Sequence, residues 1–207
     1  VLSTNRFNSP ATLADLDGNG TLEIIAGNDS GLLHILHHDG TEMATFDTGD
    51  DIRGGISVSD INNDGDYELL FSGYDDMIHV LNPMSGQELE GWPVDMNYNS
   101  LTGPVTADLD DDGDFDVLSN IIYQSYYSGF MSEYRYHENI GTPSSPNFSP
   151  AVTNPFGLQD SPNIEFSSIG DIDNDGDFDL INSSLNYSSY QQTFFNFIEN
   201  IGTNLNP

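Results

Sequence analysis

Four short acidic segments carry the residues best suited to chemistry in this chain. They read DLDGNGTLE from Asp15, DINNDGDYE from Asp60, DLDDDGDFD from Asp108 and DIDNDGDFD from Asp171. Counted from the first Asp, oxygen-bearing side chains recur at positions 1, 3, 5 and 9, and glycine stands at position 6. Carboxylates at this density repel one another and raise each other's pKa values unless a cation lies among them. The pattern therefore predicts cation sites.

The donor type indicates which cation is expected. Oxygen donors at alternate positions of a tight loop, a glycine that permits the turn and a backbone carbonyl at position 7 suit Ca²⁺. Mg²⁺ prefers to keep its waters, and transition metals favour His or Cys, which these segments lack. We expect about four Ca²⁺ ions. The candidate metal ligands are Asp15, Asp17, Asn19, Thr21, Glu23, Asp60, Asn62, Asp64, Asp66, Glu68, Asp108, Asp110, Asp112, Asp114, Asp116, Asp171, Asp173, Asp175, Asp177 and Asp179.

A helix-loop-helix calcium hand shares the first half of this pattern. It requires a bidentate Glu at position 12, where this chain has Ala26, Phe71, Ser119 and Asn182. It also continues as a helix, whereas apolar strand-like segments follow here. The calcium hand is therefore excluded.

A solvated turn is the simpler interpretation of any one acidic segment. Each of the four, however, is preceded by a small residue, has an aliphatic residue at position 2 and is followed by an aliphatic pair. Agreement in this many columns favours a repeated cation site over four unrelated turns.

The segments are spaced as in a repeat protein, with starts 45, 48 and 63 residues apart, from 15 to 60, 108 and 171. Short β-branched and apolar stretches separated by Gly, Asn, Asp and Ser follow each one, and no window has a helical period. We expect an all-β fold, a β-propeller of about four blades, in a single repeat domain over 1–207. The predicted units are 8–52, 53–100, 101–163 and 164–207, with 1–7 completing the last blade.

Charge and composition exclude several classes of partner. The chain has 34 acidic residues against three basic ones, for a formal charge of -31. This argues against binding of nucleic acid and of anionic membranes. Without cysteine there is neither a disulfide nor a thiol nucleophile. No apolar run approaches the length of a membrane span, so we expect no membrane insertion.

The four loops, their aliphatic columns and the segment YHENIGTPSSPNF from Tyr136 resemble the FG-GAP repeats of integrin α-subunit propellers and the VCBS-type repeats of secreted microbial proteins. The resemblance covers about residues 8–204. It implies a propeller whose blades each hold Ca²⁺ between adjacent strands, in an extracellular or cell-surface setting. Such propellers usually have seven or eight blades, so four indicate a closed small ring or part of a larger or oligomeric propeller.

The histidines and aromatic residues have simpler interpretations. His34 and His79 occupy equivalent columns on apolar strands and are expected to be packed or at a rim. His37 and His38 adjoin Asp39 in a predicted solvated turn. Most tyrosines and phenylalanines of the third and fourth units are expected to pack in strands, although exposed tyrosines would suit sugar or peptide recognition.

The function expected from these features is a secreted or surface calcium-binding module for adhesion or for recognition of an extracellular protein or glycan. A polysaccharide lyase or another carbohydrate-active propeller enzyme is the first alternative, because Arg135 and His137 alternate with Tyr134 and Tyr136. A structural subunit of an extracellular assembly, including a homo-oligomer, is the second. No catalytic motif marks the chain as an enzyme.

Overall fold

The fold is known from a computed structural model that describes residues 5–125, 129–162, 164–176, 178–185 and 193–198. Within these residues the chain forms antiparallel β-sheets and one 3-10 turn at Pro155–Gly157, which confirms the all-β prediction. Residues 1–4, part of the segment predicted to complete the last blade, lie outside the described residues, as do residues 199–207 of the predicted fourth unit.

The first two sheets have four strands each, ordered as they follow along the chain. The first contains β1 (Thr12–Ala14), β2 (Glu23–Gly27), β3 (Leu32–Leu36) and β4 (Glu42–Asp47). The second contains β5 (Ser57–Ser59), β6 (Glu68–Ser72), β7 (Met77–Leu81) and β8 (Val94–Asp95).

The third sheet repeats this order, and the fourth has three strands in the described part of the chain. The third contains β9 (Val105–Ala107), β10 (Asp116–Ser125), β11 (Gly129–His137) and β12 (Val152–Thr153). The fourth contains β13 (Ile164–Gly170), β14 (Asp179–Leu185) and β15 (Thr193–Ile198).

Each acidic loop joins the first strand of a sheet to the second. The small residue before the loop pairs with the position-9 acid, which opens the second strand. The four pairs are Ala14 with Glu23, Ser59 with Glu68, Ala107 with Asp116 and Gly170 with Asp179. A small side chain is suited to this place because cross-strand neighbours on one face lie only about 5 Å apart. The sheet register thus brings both ends of every loop together.

The chain divides into two compact units. The first holds the first and second sheets, and the second holds the third and fourth sheets together with residues 61–63. The prediction of a single repeat domain with four stated ranges stays a prediction, although each range contains one sheet.

Each unit has an apolar core built from the columns that flank the acidic loops. In the first unit, Leu16 at position 2 of its loop joins a buried cluster with Ile25, Leu33 and Leu69. In the second unit the buried cluster consists of Ala107, Leu109, Leu118, Tyr134, Tyr136 and Leu180. The aliphatic residue at position 2 therefore anchors the start of the loop, except at Ile172, which is 49% exposed.

Candidate metal centres in the acidic loops

The side chain of the first Asp closes each loop by accepting hydrogen bonds from backbone N–H groups further along the same loop. In the third loop, Asp108 Oδ1 accepts a hydrogen bond from the backbone N–H of Asp112 and Oδ2 accepts one from Gly113, each at 3.1 Å. Asp15, Asp60 and Asp171 make the same two bonds to positions 5 and 6 of their loops, at 2.8 to 3.2 Å. One side chain thus satisfies two donors in every loop.

Two positions in each loop adopt the left-handed backbone conformation. Position 6 is always glycine, with φ between 87° and 99°. Position 4 is left-handed as well, at Gly18, Asn63, Asp111 and Asn174, with φ between 52° and 68°. Gly, Asn and Asp are the residues that tolerate this region best. The residue types at position 4 were a signal that the sequence interpretation overlooked.

The position-9 acid is buried and bonded to the start of its own loop. Glu23, Asp116 and Asp179 are at most 1% exposed, and each accepts the backbone N–H of position 2 at 3.0 to 3.1 Å. In the third loop Asp116 also accepts bonds from Asn139 N at 2.8 Å and from the Tyr136 hydroxyl at 3.0 Å. A predicted ligand therefore also has a structural task, because it joins the entry of the loop to its exit.

Three groups of side chains lie close enough to hold a metal ion, with one ligand atom of each residue within 4.8 Å of the others. Two consist of predicted ligands only, and the third includes a histidine. The groups are Asp108, Asp110 and Asp112; Asp171, Asp173 and Asp179; and Asp17, Glu23 and His37.

Other predicted ligands are not part of such a group in the described residues. In the second loop, Asp60, Asp64, Asp66 and Glu68 form no group of three acids or histidines within this distance, and Asn62 offers an amide oxygen instead. Asp15, Asp116 and Asp175 lie outside the three groups. Asp177 lies outside the described residues, so its predicted role stays a prediction.

The third loop is the most strained electrostatically. Burial, followed by repulsion from Asp112 and Asp116, raises the pKa of Asp114 to about 7. Burial raises the pKa of Asp116 to about 6 against its three hydrogen bonds, and burial together with the Asp112 charge raises the pKa of Asp110. In the fourth loop, desolvation and then Asp175 raise the pKa of Asp173. Both loops therefore carry more negative charge than their surroundings stabilise.

A cation fits the third loop on the chemistry of its donors. Asp114 is only 5% exposed, and its Oδ1 has no hydrogen-bond partner. The charges of Asp112, Asp116 and Asp110 act on this side chain, and carboxylate oxygens are ligands of a hard divalent ion. The close carboxylates and this unsatisfied oxygen are the features that a bound Ca²⁺ would compensate.

Sequence reasoning missed two residues beside the loops. In the first sheet Ile24 pairs with Leu36, so Glu23 lies opposite His37. In the third sheet Val117 pairs with His137, so Asp116 lies opposite Glu138. The charge of Glu138 contributes to the raised pKa of Asp110. The prediction that His37 lies in a solvated turn is wrong in part, because strand pairing brings its ring beside a buried carboxylate. Only the strand register, which sequence spacing did not provide, identifies both residues.

His34 and His79 are both buried, as predicted, but have different partners. Asn28 Nδ2 lies 3.2 Å from Nε2 of His34, and Thr45 Oγ1 lies 3.0 Å from its Nδ1. His79 meets a carboxylate at each nitrogen, with Asp75 at 2.9 Å and Glu88 at 2.7 Å. Burial pulls the pKa of His79 down, but the hydrogen bonds to Glu88 and Asp75 outweigh it, so the pKa is raised.

The tyrosine, arginine and histidine constellation considered for catalysis is engaged within its sheet. Tyr134, Tyr136 and His137 are at most 6% exposed. Arg135 forms an ion pair with Glu133 and donates to Thr153 Oγ1 at 2.7 Å. These side chains offer no exposed acid–base pair to a substrate.

A cleft of about 930 Å³ in the first unit brings the first two loops beside exposed apolar side chains. Leu13, Leu22, Tyr67 and Met84 are 44 to 58% exposed and line it. Its acidic lining consists of Asp15, Asp17 and Asp66. Leu22 and Tyr67 occupy position 8 of their loops, so the repeat itself places an apolar side chain at this edge.

No protein-family model matches the chain, and a search of curated proteins finds no significant match. In the described part of the chain, no helix has the length and apolar character to cross a membrane.

Proposed function

We propose that this chain is a calcium-binding repeat protein of the FG-GAP and VCBS kind. Its four sheets are blades of a β-propeller, and it is secreted or displayed at the cell surface. There it serves as a module for adhesion or for recognition of a protein or glycan. The proposal rests on a repeated observation: in every sheet, the first two strands are joined by the same kind of loop, closed by the same hydrogen bonds.

The propeller is supported by the order of the strands. Each sheet is an antiparallel meander whose strands follow the chain order, and a propeller blade is built in this way. The acidic loop falls at the same place in each meander. A ring of such sheets aligns its loops, which would explain why the pattern is repeated.

Calcium has a structural role in this proposal. Asp108, Asp110 and Asp112 would hold the ion in the third loop. The charges of Asp112 and Asp110 also act on buried Asp114, whose Oδ1 has no hydrogen-bond partner. The ion supplies positive charge that offsets the repulsion among the carboxylates. Because it binds the folded loop better than the unfolded chain, it stabilises the fold. Four ions would change the formal charge from -31 by +8 to -23.

Chelation tests the calcium proposal. We expect EDTA to lower the melting temperature of the calcium-loaded protein, and added calcium to restore it, because the carboxylate repulsion returns when the ion leaves. Asp108→Asn should reduce this calcium-dependent shift. Asp111→Asn removes the same charge from the same loop but at an exposed position outside the ligand group, and should leave the shift nearly unchanged. Identical melting curves with calcium and with EDTA would contradict the proposal.

The cleft of the first unit supports the recognition role. It combines exposed apolar side chains with the carboxylates of two loops, so its shape depends on the state of those loops. We expect a glycan or extracellular-protein array to show calcium-dependent binding that Tyr67→Ser weakens and Tyr98→Ser, a change at an equally exposed tyrosine outside the cleft lining, does not. If binding depends on neither calcium nor Tyr67, the cleft is not the recognition surface. A rise in ultraviolet absorbance with uronate-containing glycans would instead indicate a lyase.

A further inference from the structure

The first acidic loop has a nitrogen donor beside it. His37 follows β3 directly and lies opposite Glu23, one residue beyond the Ile24–Leu36 pair. Its backbone is fixed in the β3–β4 turn, because His37 N donates to Thr41 O at 2.9 Å and its carbonyl accepts from Gly40 N at 2.8 Å. The imidazole is therefore held at the loop by the sheet.

The geometry of the group fits a small divalent ion. His37 Nδ1 lies 3.6 Å from Glu23 Oε1, and ligand atoms of Asp17, Glu23 and His37 all lie within 4.8 Å of one another. A tetrahedral ion with ligands at about 2.0–2.1 Å has ligand atoms roughly 3.4 Å apart. Small side-chain adjustments would close the group around such an ion.

Glu23 provides an independent sign that a ligand is needed. It is fully buried, and its Oε1 has no hydrogen-bond partner, while Oε2 accepts the Leu16 N–H at 3.0 Å. That bond orients the carboxylate and leaves Oε1 directed at His37. A buried oxygen without a hydrogen bond destabilises the fold unless a cation or water satisfies it. An orienting bond on one oxygen and a metal on the other is the usual arrangement of a ligating carboxylate.

The nitrogen donor decides the class of metal. Ca²⁺ binds through oxygen, whereas imidazole suits zinc and its neighbours among the transition metals. The distances between ligand atoms do not distinguish Ca²⁺ from zinc, because both ions accept ligand atoms about 3.4 Å apart. In the second sheet, the residue that corresponds to His37, one beyond the Leu69–Leu81 pair, is Asn82, and in the third it is Glu138. Both offer side-chain oxygen.

We propose that Asp17, Glu23 and His37 form a zinc-class site, chemically distinct from the all-oxygen loops of the second unit. Solvent reaches the remaining coordination position, because Asp17 is exposed and the His37 side chain is 38% exposed. Three protein ligands and a water complete a tetrahedron. The inference rests on the proposed function only in that the acidic loops bind metals; it stands or fails separately from calcium binding elsewhere.

Zinc titration of the protein in calcium tests the site, because the nitrogen donor should let zinc displace calcium from the first loop while the all-oxygen loops keep theirs. We expect isothermal titration calorimetry to show one equivalent of Zn²⁺ bound by the wild-type chain. His37→Asn, which installs the residue of the second sheet, should weaken zinc binding by more than about tenfold, since even loss of an outer-shell partner costs 10–100-fold. His38→Asn, a change at the adjacent exposed histidine, should bind zinc as the wild type does. The ring ¹⁵N resonances of His37 should shift on zinc addition, which a merely structural effect of the substitution would not produce.

The outcomes separate this site from the calcium proposal. Equal zinc binding by wild type and His37→Asn overturns the inference. Absence of zinc binding by the wild type, while calcium still raises the melting temperature, overturns it and leaves the calcium proposal standing. Zinc binding that depends on His37, with no effect of calcium, supports the site and contradicts the calcium proposal.

Discussion

The first and second sheets show how far one repeat pattern determines local structure and where it stops. Both have four strands in the same order, the same closed loop between their first two strands and a buried histidine on the third strand. Yet His34 meets an amide and a hydroxyl, whereas His79 lies between two carboxylates and stacks on Phe71, with 4.9 Å between ring centroids.

The difference shows that the repeat determines which positions of the two sheets are equivalent. The neighbouring side chains determine the charge and the hydrogen bonds of the residues at those positions. The column of His34 and His79 puts a buried ring on the third strand of both sheets. Hydrogen bonds to Glu88 and Asp75 then raise the pKa of one of these rings, that of His79, against the effect of its burial. The same is true beside the acidic loops. His37 in the first sheet and Asn82 in the second occupy corresponding positions but have chemically different side chains.

The largest effect that would sharpen this comparison is expected at His79. A raised pKa means that folding favours the protonated ring, so its stabilisation is complete below pH 6.5 and is lost as the pH rises through the folded value. His79→Gln should cost about 2–4 kcal/mol of unfolding free energy below pH 6.5, because two charge-assisted hydrogen bonds are lost. Urea unfolding at several pH values measures this cost.

His34→Gln is the matched control, because it removes a buried ring from the same column among uncharged partners. It should cost about 1 kcal/mol, because the hydrogen bonds that are lost join the ring to the uncharged side chains of Asn28 and Thr45. If the two variants lose equal stability across the pH range, the proposed difference between the sheets is wrong.

A smaller effect is expected at the last residue of the second strand, which is Gly27 in one sheet and Ser72 in the other. A Cβ at Gly27 would overlap side-chain atoms of buried Ile52. Gly27→Ser should therefore cost about 1–3 kcal/mol through overpacking. The reverse change, Ser72→Gly, should cost only the 0.5–1 kcal/mol typical of glycine in a strand. Thermal unfolding of both variants gives the comparison, and an unchanged Gly27→Ser protein would show that Ile52 moves freely.

The smallest effect is expected at position 4 of the loops. Gly18 and Asn63 both have left-handed backbones, with φ of 68° and 52°. Exchanging them, as Gly18→Asn and Asn63→Gly, should change stability by less than about 0.5 kcal/mol each, whereas alanine at either place should cost about 1–2 kcal/mol. Differential scanning calorimetry resolves the two cases. Alanine variants as stable as the exchanges would mean that the loops relax out of this conformation.

Local features were predictable from sequence because they depend on neighbours in the chain. The spacing from Asp108 to Gly113 predicts a tight loop, and in the structure the Asp108 carboxylate closes this loop by accepting from the N–H groups four and five residues ahead. The apolar stretches after each loop predict strands, and the structure has them. The residue types at position 4 also carried a readable signal.

Features that depend on pairing between strands were not predictable in the same way. His37 is fourteen residues from Glu23 and meets it only because Ile24 pairs with Leu36. Glu88 reaches His79 after a turn whose length the repeat does not fix. The double use of Asp116, as loop closure and as partner of Tyr136, likewise appears only once β10 and β11 are aligned.

The hydrogen bonds that close each acidic loop have a consequence for selectivity. Because the first and ninth side chains bind backbone N–H groups, the protein's own hydrogen bonds fix the path of the chain in the loop. An ion bound there, as we propose, would cost little ordering entropy, and the loop would resist contracting around a smaller one. Discrimination among cations would then depend on ion radius and on the cost of shedding water rather than on folding of the loop.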